Sequence, residues 1–281
     1  MYDAFSAGPE SRQTQTGDVP GRVVACPRRP GLWFVTNQKR GSTILPKPPR
    51  KGAHRMLIVV LGANGGTGRR LVEQALDAGH DVRAVTRRPQ SFPIKDPGLE
   101  VVASDATVEV PLGGAAVVLS TLGTPFTRRP VTLYSHSTAT VLKAMRREGV
   151  RRLVVVSSSA TEPHHHAEGG LLLNRVIQPL VTATIGRSTY EDMRRMEKLV
   201  RDSDLDWTIV RPSGLFDSDS VTRYRLTESR SDGIFTSRAD LAACLLDQAT
   251  DTAWVRRAVA VTTNENTPTL WAMLRREAFG K

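Results

Sequence analysis

MLIVVLGANGGTG, residues 56–68, joins a short apolar run to glycines at positions 62, 65 and 68. The run predicts a parallel strand buried on both faces. Beyond the glycines, Leu71, Val72, Ala75 and Leu76 recur at helical spacing, and Gly79 supplies a stop. Between a strand and a helix, Gly-x-x-Gly-x-x-Gly has a physical meaning. The first glycine allows a sharp turn, the second lets the backbone approach a pyrophosphate, and the third lets helix and strand pack closely. The free N–H groups and positive end of the helix then face the phosphates. A glycine-rich turn also occurs without a ligand, but the flanking strand and helix are the context that a dinucleotide site requires. Gly62, Ala63, Asn64, Gly65, Gly66, Thr67 and Gly68 are therefore candidate cofactor-binding residues.

Downstream, strands are expected at 81–86, 99–104, 115–120, 152–156, 205–210 and 258–261, with helical patterns between most of them. This alternation predicts an α/β fold, a Rossmann-type doubly wound parallel sheet. The second strand ends Thr86, Arg87, Arg88. No carboxylate stands there to bond ribose hydroxyls, whereas two guanidiniums can pair with a 2′-phosphate, which favours NADP(H) over NAD(H). The plainer reading is that both arginines solvate a loop before Pro89. Asp105 reads either as a partner for the adenine edge or as an ordinary loop or capping residue. Thr121, Leu122 and Gly123 follow the fourth strand, and Pro212 and Ser213 sit in a turn after the sixth, at the sheet edge where ligands of such folds lie. Residues 217–233 read as a polar, irregular excursion, Ser237 as a helix N-cap, and 270–279 as a last helix.

The net charge of +11 is unevenly placed: residues 1–55 carry ten Lys/Arg against three Asp/Glu, leaving 29 against 25 for the rest. The domain expected at 56–281 thus has no strong electrostatic reason to seek nucleic acid. Residues 1–55, with seven prolines and no apolar period, are expected to form a disordered basic extension. Residues 32–35 are its one apolar patch and could dock as a short strand. Met56 stands where the translation start of such a fold usually lies, so the extension reads alternatively as an upstream addition without a role, or as a basic arm. Cys26 and Cys244 make no framework of disulfides or ligands. No apolar run reaches the ~20 residues of a membrane span, no secretory leader is evident, and the cytoplasm is the expected compartment. His164, His165 and His166 lack ligand-like spacing, so no metal is expected. Residues 171–186 read as a lid, a packing helix or an interface, and the assembly as a monomer or homodimer.

GANGGTG, VRAVTRR, SSSAT, MEKLVRDSDLDWTIVRPSGL and SRADLA, in that order over about residues 56–263, resemble the atypical short-chain dehydrogenase/reductase superfamily. The likeness is closest to its small NAD(P)H-binding proteins, the flavin reductase or biliverdin-IXβ reductase type and the NmrA-like regulators. The resemblance implies that Gly62 to Gly68 hold the pyrophosphate, Arg87 and Arg88 the 2′-phosphate, Asp105 the adenine, and Thr121, Leu122, Gly123, Pro212 and Ser213 the ribose and nicotinamide end. Conventional members use a Tyr-x-x-x-Lys pair as acid/base. Here Tyr190 is followed by Arg194, and the neighbouring register offers Thr189 and Met193. Lysine is absent either way. The flavin-reductase-like relatives do without that pair, and the resemblance places Ser159 at their active-site serine; its alternative is a satisfied strand-end hydroxyl. Ser159 and Tyr190 are the candidate catalytic residues. The expected function is an NADPH-dependent oxidoreductase passing hydride to a flavin-like, quinone-like or other conjugated small-molecule acceptor. The alternatives are a non-catalytic NADP(H)-binding redox sensor and a sugar-nucleotide epimerase or dehydratase.

Replacing Arg87 and Arg88 together with Ala is predicted to weaken NADPH by roughly 2 to 4 kcal/mol more than NADH. Paired titrations of the two cofactors check this, and equal losses contradict the phosphate assignment.

Overall fold

The structure, a computed structural model, describes residues 55–127, 129–162, 186–228 and 233–269 in full and 42–44 as backbone. The docking strand at 32–35, the histidine loop at 164–166, most of 171–186 and the helix at 270–279 lie outside the described residues. In chain order the elements are β1 (Ser42–Ile44), β2 (Leu57–Leu61), α1 (Gly66–Asp77), β3 (Asp81–Thr86), β4 (Leu99–Ala103), β5 (Val117–Ser120), α2 (Leu133–Glu148) and β6 (Arg152–Val156). They continue with α3 (Arg187–Arg201), β7 (Asp206–Pro212), β8 (Gly214–Phe216), β9 (Tyr224–Glu228), β10 (Phe235–Ser237), α4 (Arg238–Thr250) and β11 (Arg257–Thr263).

The main sheet runs β1-β9-β11-β7-β6-β5-β2-β3-β4, and β8 pairs with β10 in a separate parallel ribbon. From β4 to β11 every pairing is parallel. The chain leaves β2 toward β3 and β4, then returns to build β5, β6 and β7 on the other side. That reversal puts a topological switch point between β2 and β5.

The strands show why this sheet needs a helical layer on each face. Along β2, Ile58 and Val60 join the core under α1 and α4, with Leu71, Val72 and Leu245. Val59 and Leu61 join the opposite core, under α2 and α3, with Met145, Met196 and Val200. Each such fully buried aliphatic side chain contributes about 1.5–3 kcal/mol, so neither layer can be stripped away cheaply. Punctuation follows the expected residues. Gly79 and Gly149 take φ of 84° and 69° just past α1 and α2. Ser237 caps α4, its Oγ accepting from Asp240 N at 3.0 Å.

Three features depart from the sequence expectations. Ser42–Ile44, within the stretch expected to be disordered, pairs antiparallel with β9. β9 itself crosses the stretch read as an irregular excursion and pairs antiparallel with β11. Its alternation is real but thin, because only Tyr224 and Leu226 are large apolar residues on the buried face. β7 runs on past the expected 205–210 to Pro212, a residue expected in the turn.

One tertiary contact substitutes for a missing local cap. The residue before α2, Thr132, makes no side-chain capping bond. Asp192 of α3, fully buried, supplies it. Its Oδ2 accepts from Tyr134 N at 2.8 Å and Ser135 N at 3.3 Å, and its Oδ1 from Ser135 Oγ at 2.5 Å. The carboxylate also suits the positive end of the helix. Asp192→Ala is predicted to cost about 2 kcal/mol, and Asp192→Asn, which keeps an acceptor oxygen, less. Urea unfolding of both variants measures the difference; equal costs contradict the capping role.

Candidate cofactor and acceptor site

The residue after each of six neighbouring parallel strands, Gly62, Arg87, Ser104, Thr121, Ser157 and Ser213, lines one cavity of about 1010 Å³. Strand ends beside a switch point are where open sheets bind ligands.

At one end lies the glycine loop. Gly62 has φ 72°, and a Cβ there would stand 2.8 Å from the Thr121 carbonyl oxygen and 2.9 Å from Leu122 N. The loops after β2 and β5 therefore touch through backbone alone. A Cβ on Gly68 would overlap the Gly62 carbonyl oxygen and lie 2.8 Å from Ala63 Cα, so helix and strand approach as the third motif glycine predicts. Ala63 and Gly68 are buried in that packing and do not line the cavity. Gly62, Asn64, Gly65, Gly66 and Thr67 do. Gly65 precedes α1 without a side-chain cap, and no acidic residue stands in the first turn. The first N–H groups of α1 and its positive end are thereby left for an anionic ligand. Asn64 braces the loop, accepting from Arg69 Nη2 at 2.6 Å and donating to Ser91 Oγ at 3.0 Å.

Arg87 and Arg88 line the cavity and are exposed. Asp105, after the neighbouring strand β4, lines it too, with its Oδ1 accepting from Thr107 N at 2.9 Å and Thr107 Oγ1 at 2.7 Å. Those two bonds, and behind them the Arg87 charge, hold its carboxyl below the usual range. Asp105 is thus a loop-closing residue and a cavity residue together.

The other end is apolar and aromatic. Thr121, Leu122, Gly123, Pro212, Ser213, Ser159 and Tyr190 all reach this cavity. So do Phe126, Leu133, Tyr134 and Met193, which the sequence reading did not single out for the site. The Phe126 and Tyr190 rings lie 5.7 Å apart, and Phe126 is 48% exposed. Tyr134 OH accepts from Thr124 N at 3.3 Å; burial raises its pKa, with that bond opposing. Arg194, one turn beyond Tyr190, donates Nε to the Thr161 carbonyl at 2.8 Å and is not a lining residue. Its Nε is thus directed at the turn after β6. In the neighbouring register, Thr189 and Met193 line the cavity, and neither can replace lysine.

Beneath the Ser157–Ser159 loop lies a charged support. Arg211 is 1% exposed and donates to Glu197 through Nε at 2.9 Å and Nη2 at 2.5 Å, and to Glu162 Oε1 at 2.8 Å. Glu197 also accepts from Ser157 Oγ at 2.7 Å and Thr161 Oγ1 at 3.2 Å. Burial opposes the Glu197 charge, but Arg211 and then Ser157 and Arg201 outweigh it, and the pKa is lowered. Burial likewise opposes the Arg211 charge, and the two carboxylates outweigh it. A signal existed in the sequence: an arginine inside the run Trp207–Pro212 and a glutamate on the apolar face of Met193, Met196 and Val200 each demand a buried partner.

Among the described residues no cluster of His, Cys, Asp or Glu could hold a metal ion, and no helix is long and apolar enough to cross a membrane. The model of the NAD(P)H-binding family matches residues 62–252. An uncharacterized chloroplastic protein of Arabidopsis thaliana is 32% identical over 176 residues, covering 56% of this chain. The chain spans 59% of that relative's length. A short-chain dehydrogenase/reductase of Veillonella parvula, solved in complex with NADP, superposes with a TM-score of 0.61 at 19% identity, over 76% of this chain and 99% of that one. A candidate NADH-flavin reductase of Streptococcus pneumoniae gives 0.60 at 22%, over 74% and 100%. These two likenesses are of fold.

Glu197→Gln removes the charge facing buried Arg211 and is predicted to cost about 3–5 kcal/mol at neutral pH. Because the folded pKa lies below the ordinary 4.5, the contribution is full above that value and is lost as pH falls through the folded one. The stability gap between the protein and this variant should therefore narrow from pH 5 to pH 3. Denaturant unfolding across that range measures it, and a constant gap contradicts the assignment.

Proposed function

Because the chain belongs to the NAD(P)H-binding family, we propose that it is an NADPH-dependent oxidoreductase acting on a flavin-like, quinone-like or other conjugated small molecule. The residues present suit such a cofactor. Gly62 and Gly68 leave no room for side chains at the turn, and the uncapped start of α1 offers N–H groups to a pyrophosphate. Arg87 and Arg88 would take the 2′-phosphate, Asp105 the adenine edge, and Thr121, Leu122, Gly123, Pro212 and Ser213 the ribose and nicotinamide end. When bound, the reduced nicotinamide supplies the hydride. The chain has to hold, orient and desolvate.

The observation that carries the reading is the acceptor end of the cavity: an aromatic and apolar wall of Phe126, Leu133, Tyr190 and Met193, with no lysine among the described residues that line the cavity. Such a wall suits a flat, conjugated acceptor, which gains from stacking and from exclusion of water. Transfer to an alcohol or ketone instead demands a positioned acid/base pair such as tyrosine and lysine, and the described lining offers no lysine for it. Ser159, which lines the cavity, would donate a hydrogen bond to an acceptor oxygen or nitrogen. The same missing pair leaves room for one other reading, a sensor that binds the cofactor without turning it over.

One cuvette separates the two. The full chain is titrated with NADPH and with NADH, and a flavin and a quinone are then added in turn. Acceptor-dependent loss of the nicotinamide absorbance is the expected outcome. Binding without turnover moves the function to the sensor.

A further inference from the structure

Buried polar atoms in folded proteins almost always have a hydrogen-bond partner, so an orphan beside a ligand cavity points to a group outside the chain. Two residues that line this cavity carry such atoms, Thr189 at Oγ1 and Arg238 at Nη1. The arginine is the more telling, because it brings a charge to the glycine loop.

Arg238 is the first residue of α4, which packs beside α1 on the same face of the sheet. Its side chain reaches the glycine loop. A Cβ on Gly66 would stand 2.8 Å from Arg238 Nε and 3.0 Å from Cδ. Gly66 is not one of the three motif glycines, and this contact explains it: only a residue without a side chain lets the arginine lie there. Among the described residues, Asp217 faces the arginine: its Oδ1 is 3.7 Å from Arg238 Nε and 3.5 Å from Arg70 Nη2, an ion-pair contact with each cation. The guanidinium keeps donors to spare where α1 offers its own N–H groups.

We propose that Arg238 binds the pyrophosphate of the dinucleotide cofactor, as a charged partner to the glycine loop and separate from the arginines after β3. A planar fork of donors suits a diphosphate, whose oxygens lie side by side. The proposal rests on NAD(P)H binding in this cavity and is independent of whether any acceptor is reduced.

The test reads binding. Pyrophosphate is common to NADPH and NADH, so Arg238→Gln should weaken both by the same factor, about tenfold to a hundredfold. Replacement of Arg87 and Arg88 should instead change their ratio. Dissociation constants for NADPH and NADH come from fluorescence titration of the full chain, with thermal unfolding of the unliganded variant showing that it folds. Unchanged affinities overturn the proposal, as does a loss confined to NADPH. Arg238→Lys keeps the charge without the fork and should weaken both cofactors several-fold. Should the glutamine variant fail to fold, wild-type affinities in the lysine variant overturn the proposal. A missing turnover with flavin and quinone alters none of these readings.

Discussion

Backbone at Gly68 lies against backbone at Gly62 with no space for a methyl group between them. That approach fixes where α1 begins relative to the edge of β2, and Gly62 in turn lies against Thr121 after β5. Thr121 N donates to the Leu61 carbonyl at 2.9 Å, which extends the β2–β5 ladder to the edge itself. Three segments are thus brought within backbone contact at the switch point. The rest of the cavity is arranged around that point. A side chain at Gly68 would force α1 outward and carry its free N–H groups away from where a phosphate would bind, and one at Gly62 would push the loops after β2 and β5 apart. Close packing has little tolerance for such shifts, because an interior at crystal-like density cannot deform gradually.

The opposite wall is fixed by charge. Burying Arg211 and Glu197 has a desolvation cost that their mutual attraction offsets only with good geometry and further bonds. Both are present: Glu197 receives two bonds from Arg211 and one each from Ser157 and Thr161, while Glu162 takes a further donor of Arg211. The pair joins α3, the end of β7 and the turn after β6, which are the three elements that carry Tyr190, Ser213 and Ser159. An apolar replacement would pack as well but would leave the Ser157 and Thr161 hydroxyls without that acceptor. The charges therefore contribute direction, holding a polar turn still at the cavity edge.

Local patterns made much of this legible. The strand, glycine loop and helix at 56–77 show in thirteen residues and their sequel, because each requirement is met by neighbours in the chain. Residues following strands could be assigned to one edge, since parallel connection leaves all of those ends on the same side. Gly79 and Ser237 marked helix ends for equally local reasons. What escaped depends on distant partners. β9 has two large apolar residues in five and becomes a strand by pairing with β11 and with Ser42–Ile44. Asp192 looks like one more polar residue on α3 until α2 is seen to lack its own cap. Arg238 and Gly66 are 172 positions apart, and nothing near either one announces the other.

Charge around the cavity is divided by role. Arg87, Arg88 and Arg238 stand toward the glycine loop and the strand ends beside it, whereas Phe126, Leu133, Tyr190 and Met193 form the wall at the other end. The two ends recognise different things. Guanidiniums act on phosphates from a distance and are weakened by salt; an apolar wall acts only on contact and reads shape and flatness. A ligand with anionic groups at one end and a conjugated ring at the other is drawn in by the first and seated by the second. On the function proposed above, a second flat molecule would exchange on that apolar wall while the first stayed bound.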